Sequence, residues 1–232
     1  MSNSLKRVII HWDGGTGTVT EHAKQCYHYM VDKKCNVIKG VCTPEDNISC
    51  KDGKYAPHAG GGNTGSIGVS ILGMFGFTQR EKKTPYPFSK NQFEKFMLLI
   101  AQVCKKYQIP ITENTVLTHY EFGRKHPDTT SRGKIDIVYL PFKPELCPSE
   151  VCSYIRRKVA WYSQHLKDYE NLIWQNYFCD TLLAWVSTVA KVNGIISSWL
   201  RETVNMDSVS VVKQKQKQRN LRQEFIPNCA TV

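Results

Sequence analysis

Residues 115–140, TVLTHYEFGRKHPDTTSRGKIDIVYL, constrain the fold more than any other stretch of the chain. They open with a short β-branched, apolar run that ends on His119 and close with Gly133, Lys134, Ile135 and Asp136. Such a run reads as a buried strand, and a histidine at its end is aimed beyond the sheet edge. Lys134 and Asp136 are two apart, and in extended backbone such residues share a face. An imidazole, a carboxylate and an ammonium therefore converge on one point. The arrangement suits a divalent metal with a cation nearby, but two protein ligands do not hold a zinc ion, so a third has to come from elsewhere. His11, which follows the apolar run Val8, Ile9, Ile10, is the candidate. Each residue alone has a plainer explanation. A histidine after an apolar strand is more often a hydrogen-bonded structural group, and Lys134 with Asp136 reads equally as a solvated loop pair.

The 232 residues suffice for one well-buried domain plus an appendage, or for two small domains. Hydrophobic content of 41% with 22% charged residues is that of a globular protein and excludes a disordered chain. A formal net charge of +11 suits nucleic acid, an anionic membrane surface or an anionic cell-wall polymer. No aromatic-plus-basic signature of RNA binding accompanies it, which disfavours nucleic acid. Nine cysteines cannot all pair within one chain, and none form the CxxC couple of a structural zinc site. The N-terminus runs almost directly into a strand and lacks the apolar core of a secretory signal. These features predict synthesis in a reducing cytoplasm with mostly free thiols, a disulfide between Cys35 and Cys42 staying open. No stretch reaches the roughly 18 apolar residues of a membrane span.

Along the chain, residues 6–12 predict a buried strand and residues 20–26 a short helix capped by Thr20. Residues 27–31 and 36–41 predict a hairpin, and 43–54 a polar loop. The glycine-rich bend 58–65 leads into a strand at 66–73. It enters a strand and lacks the Gly-Lys-Ser/Thr of a phosphate loop, so its glycines permit a sharp turn or close approach to a ligand. The clearest helix covers 89–107, with Ser89 and Gln92 as a capping-box pair. A strand at 115–119, a long loop and a second amphipathic helix at 149–166 follow. Residues 169–200 are helix-compatible and rich in large apolar side chains, predicting a packing or oligomerisation element. The tail from Lys213 to Arg219 is basic and low in complexity, suited to electrostatic attachment to anionic polymer or membrane.

The order of segments adds what spacing alone does not. VIIHW, YHYMVDKKCNVIKG, HAGGGNTGSIGVSILG, the capped helix ending KKYQIP, VLTHYEFG and GKIDIVYLP stand in sequence over residues 6–166. This series resembles the type 2 N-acetylmuramoyl-L-alanine amidases, which include phage lytic amidases, bacterial recycling amidases and animal peptidoglycan recognition proteins. The resemblance implies an α/β fold, a central mixed β-sheet flanked by helices, with a catalytic domain over 1–166 and a helical extension over 167–232. It makes His11, His119 and Asp136 the ligands of one zinc ion, and Tyr27 and Lys134 the catalytic residues. Ser70 stands where the recycling enzymes carry a glutamate, a departure that favours the tyrosine-assisted, phage-like variant.

The implied activity is lytic hydrolysis of the amide between N-acetylmuramic acid and L-alanine in peptidoglycan. A cytoplasmic amidase acting on soluble anhydro-muropeptides and a non-catalytic peptidoglycan-binding module are the alternatives. Without an export signal, a lytic enzyme would act on the cell wall with the help of a membrane-permeabilising partner. His58 and Asn63 flank the glycine bend and are expected on the substrate side or behind the metal ligands, with loop bracing as the plainer role for His58. His22, His28, His126 and His165 are expected to be structural or exposed. Cys26 is expected to be turned from the face of Tyr27 by strand alternation.

Overall fold

The computed structural model describes residues 4–167, so the expectations for the apolar segment 169–200 and the basic tail lie outside the described residues. A five-stranded mixed sheet is built from β1 (Arg7–Trp12), β2 (Tyr29–Val31), β3 (Val37–Lys39), β4 (Ser66–Ile71) and β5 (Val116–Thr118). Its order is β3-β2-β4-β1-β5. β1 pairs in parallel with β4 and β5, β2 pairs in parallel with β4, and only the edge strand β3 runs antiparallel. Among the described residues there are four α-helices, α1 (Glu21–Cys26), α2 (Lys90–Lys106), α3 (His119–Lys125) and α4 (Pro148–Gln164), and the expected polar loop at 43–54 holds two short 3-10 helices, Pro44–Ile48 and Cys50–Asp52. None of the described helices is long and apolar enough to cross a membrane.

The two-residue repeat of a strand divides the sheet into two unlike faces. From β1 and β4, Val8, Ile10, Trp12, Ile67, Val69 and Ile71 join one large apolar cluster with Phe93, Phe96 and Met97 of α2 and Ile155 and Val159 of α4. Ile9 belongs instead to a small separate cluster with Ala59 and Phe122. By alternation His11 shares the face of Ile9, and its register partner Ser70 lies beside it on β4. Stability thus concentrates on the helix-covered face, and polar groups gather on the other.

Two local details depart from expectation. Ser89 does cap α2, its hydroxyl accepting from Gln92 N, but the Gln92 side chain does not return the bond. Its amide donates instead to the Val31 and Leu72 carbonyls at the ends of β2 and β4, pinning the helix to the sheet. Likewise, the strand predicted to end on His119 stops at Thr118, and the presumed loop contains α3. Cys26 ends α1 and is not in a strand, so alternation does not govern its direction. The seven cysteines among the described residues, Cys35 and Cys42 included, are free thiols.

Between α2 and α4 the apolar layer encloses a charged pair. Lys158 Nζ lies 2.9 and 3.0 Å from the two Glu94 oxygens, and the Tyr162 hydroxyl donates to the same carboxylate at 2.8 Å. Glu94 and Lys158 are each 7% exposed. Breaking such a pair is destabilising because the remaining charge stays desolvated. Glu94→Ala is expected to lower the unfolding free energy by about 3–5 kcal/mol. Glu94→Leu combined with Lys158→Met should recover most of that loss in urea titrations.

Candidate metal centre

His11 reaches the site as the fifth residue of β1, at the carboxyl end of the parallel strands, where open α/β sheets form their crevices. His119 is delivered by a helix start. The Thr118 hydroxyl accepts from Glu121 N while the Glu121 carboxylate accepts from Thr118 N, a complete capping box. Arg156 of α4 grips that carboxylate at 2.8 Å through both oxygens and also donates to the Val116 carbonyl. The sequence T-H-Y-E carries this capping signature, and it was the available signal for α3.

Asp136 is brought in by main chain. Tyr120 N, one of the free donors of the first turn of α3, donates to the Asp136 carbonyl at 2.7 Å. Lys134 and Ile135 lie outside any strand and Asp136 begins a turn, so no strand alternation sets the directions of Lys134 and Asp136. Gly133, with φ of 78°, bends the chain just before it. Lys134 is consequently exposed at the rim.

The resulting geometry is tight. Nδ1 of His11 is 3.1 Å from Asp136 Oδ2, and Nδ1 of His119 is 3.0 Å from the same oxygen. One ligand atom from each of the three residues lies within 4.8 Å of the others. The two imidazoles meet nearly edge-on, with ring centroids 4.6 Å apart. Three ligands about 2.0–2.2 Å from one tetrahedral ion would be roughly 3.3–3.5 Å from one another, so the spacing suits zinc.

Proton positions strengthen the fit. The Gly60 carbonyl can only accept, so the Ser131 hydroxyl donates to it at 2.8 Å. The Ser131 oxygen then accepts from His119 Nε2 at 2.9 Å, so that in the neutral ring Nδ1 carries no proton and faces a carboxylate. Two lone pairs at that distance repel unless a cation lies between them. Ser131, buried and 71 positions from Gly60, had no signal in the sequence.

Burial lowers the His11 pKa to about 4 against the Asp136 hydrogen bond, and the His119 and Lys134 charges add to the lowering. Burial raises the Asp136 pKa, but where the His11 and His119 rings carry a proton toward it their hydrogen bonds and charges outweigh burial and hold the carboxyl well below its ordinary range, and a cation in the same place would act in the same direction. The site thus keeps a neutral imidazole and an ionised carboxylate near neutral pH, the forms a metal requires.

The remaining candidates separate. The Tyr27 ring lies 5.2 Å from that of His11. Its hydroxyl is pushed up by burial and then by the Asp136 and Asp13 charges, so it stays protonated. Ser70 lies against Tyr27, its buried hydroxyl without a partner at ordinary hydrogen-bond geometry. His58 is 6% exposed and turned inward, with Nδ1 3.2 Å from His11 Nε2. Asn63 braces the glycine bend, its side-chain oxygen accepting from Ala59 N. His58 therefore faces the protein rather than an open cleft, while Asn63 stays partly exposed. The bend's glycines serve packing too: side chains at Gly60, Gly61 and Gly62 would run into Thr130, Thr129 and Phe122. His28 is buried and hydrogen-bonded, His22 is exposed, and His126 and His165 are partly exposed.

Fold and site together define an α/β protein with a buried two-histidine, one-carboxylate donor set at the mouth of its sheet. The N-acetylmuramoyl-L-alanine amidase family matches residues 1–135, more than half of the chain, and the protein belongs to that family. The match stops one residue short of Asp136, whose place in the donor set rests on geometry. No curated protein matches the chain. Among solved structures it is similar to Drosophila peptidoglycan recognition protein SD, at 18% identity over 50% of this chain and 69% of that one, with a TM-score of 0.35. It is also similar to the ectodomain complex of peptidoglycan recognition proteins LCa and LCx bound to tracheal cytotoxin. There the identity is 19% over 50% of this chain and 70% of that one, with a TM-score of 0.34.

Acid should weaken the metal-free fold in a defined window. His11 has a folded pKa of about 4, below the ordinary 6.5 of histidine, so between about 6.5 and 4 the unfolded chain binds the extra proton. The stability that depends on neutral His11 is complete above pH 6.5 and lost as pH falls toward 4. The loss from His11 alone is about 3 kcal/mol, and His58 and His28, also lowered mainly by burial, act in the same direction. Urea unfolding with chelator at pH 7.5 and 4.5 checks this; equal stabilities would refute it.

Proposed function

We propose that this protein is a zinc-dependent amidase that hydrolyses the amide between N-acetylmuramic acid and L-alanine in peptidoglycan, in the lytic manner of phage-type members of its family. The observation that carries the reading is the convergence of His11 Nδ1, His119 Nδ1 and Asp136 Oδ2, the His119 nitrogen being held bare by Ser131. Zinc bound there would supply Lewis acidity and bring the pKa of its water to about 7.

The chain's own groups divide the remaining work. Asp136, held ionised, offsets the ion's charge, and its two histidine contacts orient it. Tyr27, held protonated beside His11, donates a hydrogen bond to the carbonyl oxygen as negative charge develops on it. Lys134, a rim cation whose charge reaches His11, attracts that same oxygen and is positioned to protonate the departing amine. Ser70 offers a hydroxyl where a glutamate would offer a base, so proton transfer falls to Tyr27 and Lys134; this supports the lytic over the recycling variant. The proposed catalytic domain is residues 1–166, with 167–232 as an appendage. Action at the wall, after synthesis in the cytoplasm, belongs to the same proposal.

Mass spectrometry of digested peptidoglycan tests the reading directly. A new amino terminus on alanine, released from intact sacculi, is expected. Release from soluble anhydro fragments alone would assign the recycling role, and bound zinc without any cleavage would leave a binding module. Asp136→Ala is expected to lose zinc and turnover while keeping the fold. Tyr27→Phe should keep zinc and lose about 10²–10³-fold in turnover, the usual effect of removing one such donor; unchanged turnover would remove Tyr27 from the mechanism.

A further inference from the structure

Behind His11, away from Asp136, the same face of the sheet carries two more buried imidazoles that the proposed chemistry does not use. His119, His11, His58 and His28 stand in a row, with successive ring centroids 4.6, 5.3 and 5.7 Å apart. His28, at the far end, is fully determined by its surroundings. Gly68 N donates to its Nδ1 at 2.9 Å, so its proton sits on Nε2 and is given to Asn47 Oδ1 at 3.0 Å. Asn47 is itself fixed, accepting from Ala56 N and donating to the Ala56 and Asn63 carbonyls.

His58 is different. Its Nδ1 meets His11 Nε2 at 3.2 Å, but its Nε2 is buried with no partner at ordinary hydrogen-bond geometry. The ring occupies the space that a side chain at position 68 would need, so Gly68 sets where it sits. A buried, half-partnered nitrogen is unfavourable, and an apolar residue would fill the slot better. The residue is therefore explained by what its other nitrogen does.

We propose that His58 is a positioning residue for His11. Its Nδ1 accepts from His11 Nε2–H, which keeps the His11 proton on the far nitrogen and leaves His11 Nδ1 bare toward Asp136. Ser131 does the same for His119 from the opposite side. The inference rests on the reading of His11 as a metal ligand.

The test is zinc affinity of the full chain, measured by chelator competition apart from any amidase assay. His58→Leu is expected to weaken zinc binding about 10–100-fold, as loss of a partner behind a metal-bound histidine does. His58→Gln, whose side-chain oxygen can accept the same hydrogen, should recover most of it. Gly68→Ala, which displaces the ring without altering its chemistry, should weaken binding as well. Parent-like affinity in His58→Leu, or no recovery in His58→Gln, would overturn the proposal. Should the leucine variant not fold, imidazole NMR of the zinc-loaded parent decides: a nitrogen–nitrogen coupling across the His11–His58 hydrogen bond supports the role and its absence refutes it. A parent that holds zinc no better than Asp136→Ala overturns both this inference and the metal reading. A parent that binds zinc and cleaves nothing overturns only the amidase.

Discussion

Everything on the polar face of this sheet depends on three electron-pair donors brought together in a place where water is scarce. A bare imidazole nitrogen 3.0 Å from a carboxylate oxygen is repulsive on its own terms, and His119 is held in that state by Ser131. In a low-dielectric interior the repulsion is strengthened, and so is the attraction once a cation occupies the centre. The pKa shifts express the same physics. Burial alone would neutralise both His11 and Asp136, yet positive charge beside the carboxyl, whether a ring proton or a cation, pulls it the other way. Three donors arranged in this way have the chemistry that a shared cation would satisfy.

Such a cluster is unfavourable to assemble, and the fold supplies the stability elsewhere. The large apolar cluster lies on the opposite face, under α2 and α4, whereas the face of His11 has only the small groups around Ile9 and Met30. Alternation along β1 makes the division at single-residue resolution: Ile10 and Trp12 enter the core and His11 between them does not. Connections between the faces are few and specific. Arg156 of α4 reaches the Glu121 cap that starts the helix bearing His119, so packing of the core helix fixes the position of a site residue.

Much of this was legible in the chain because its strongest signals are periodic. The strands β1 and β4 and the helices α2 and α4 follow from long apolar repeats, and His11 and His119 from their places beside apolar runs. Features resting on one or two contacts were less accessible. Gln92 had a correct local reading as a capping partner, but two strand-end carbonyls compete for the same amide and win. The short helix α3 was masked by the apolar run before it, although Thr118 and Glu121 carried its signature. Lys134 and Asp136 were judged by strand geometry in a segment that Gly133 turns. Ser131 and Gly60 are joined only by the folded chain, and no local pattern connects them.

The glycines explain how so many polar contacts of such length coexist. A side chain on Gly123 of α3 would collide with the Ser131 carbonyl, and one on Gly60 with the Thr130 side chain, so the segment around Ser131 packs closely against both. Only at that separation can the Ser131 hydroxyl span from the Gly60 carbonyl to His119. Gly68 performs the same service on the other side, admitting the His58 ring against the sheet. The missing side chains thus make room for Ser131 and His58, which contact His119 and His11. Precision at the centre is set by close packing behind it, where the glycines let neighbouring segments approach.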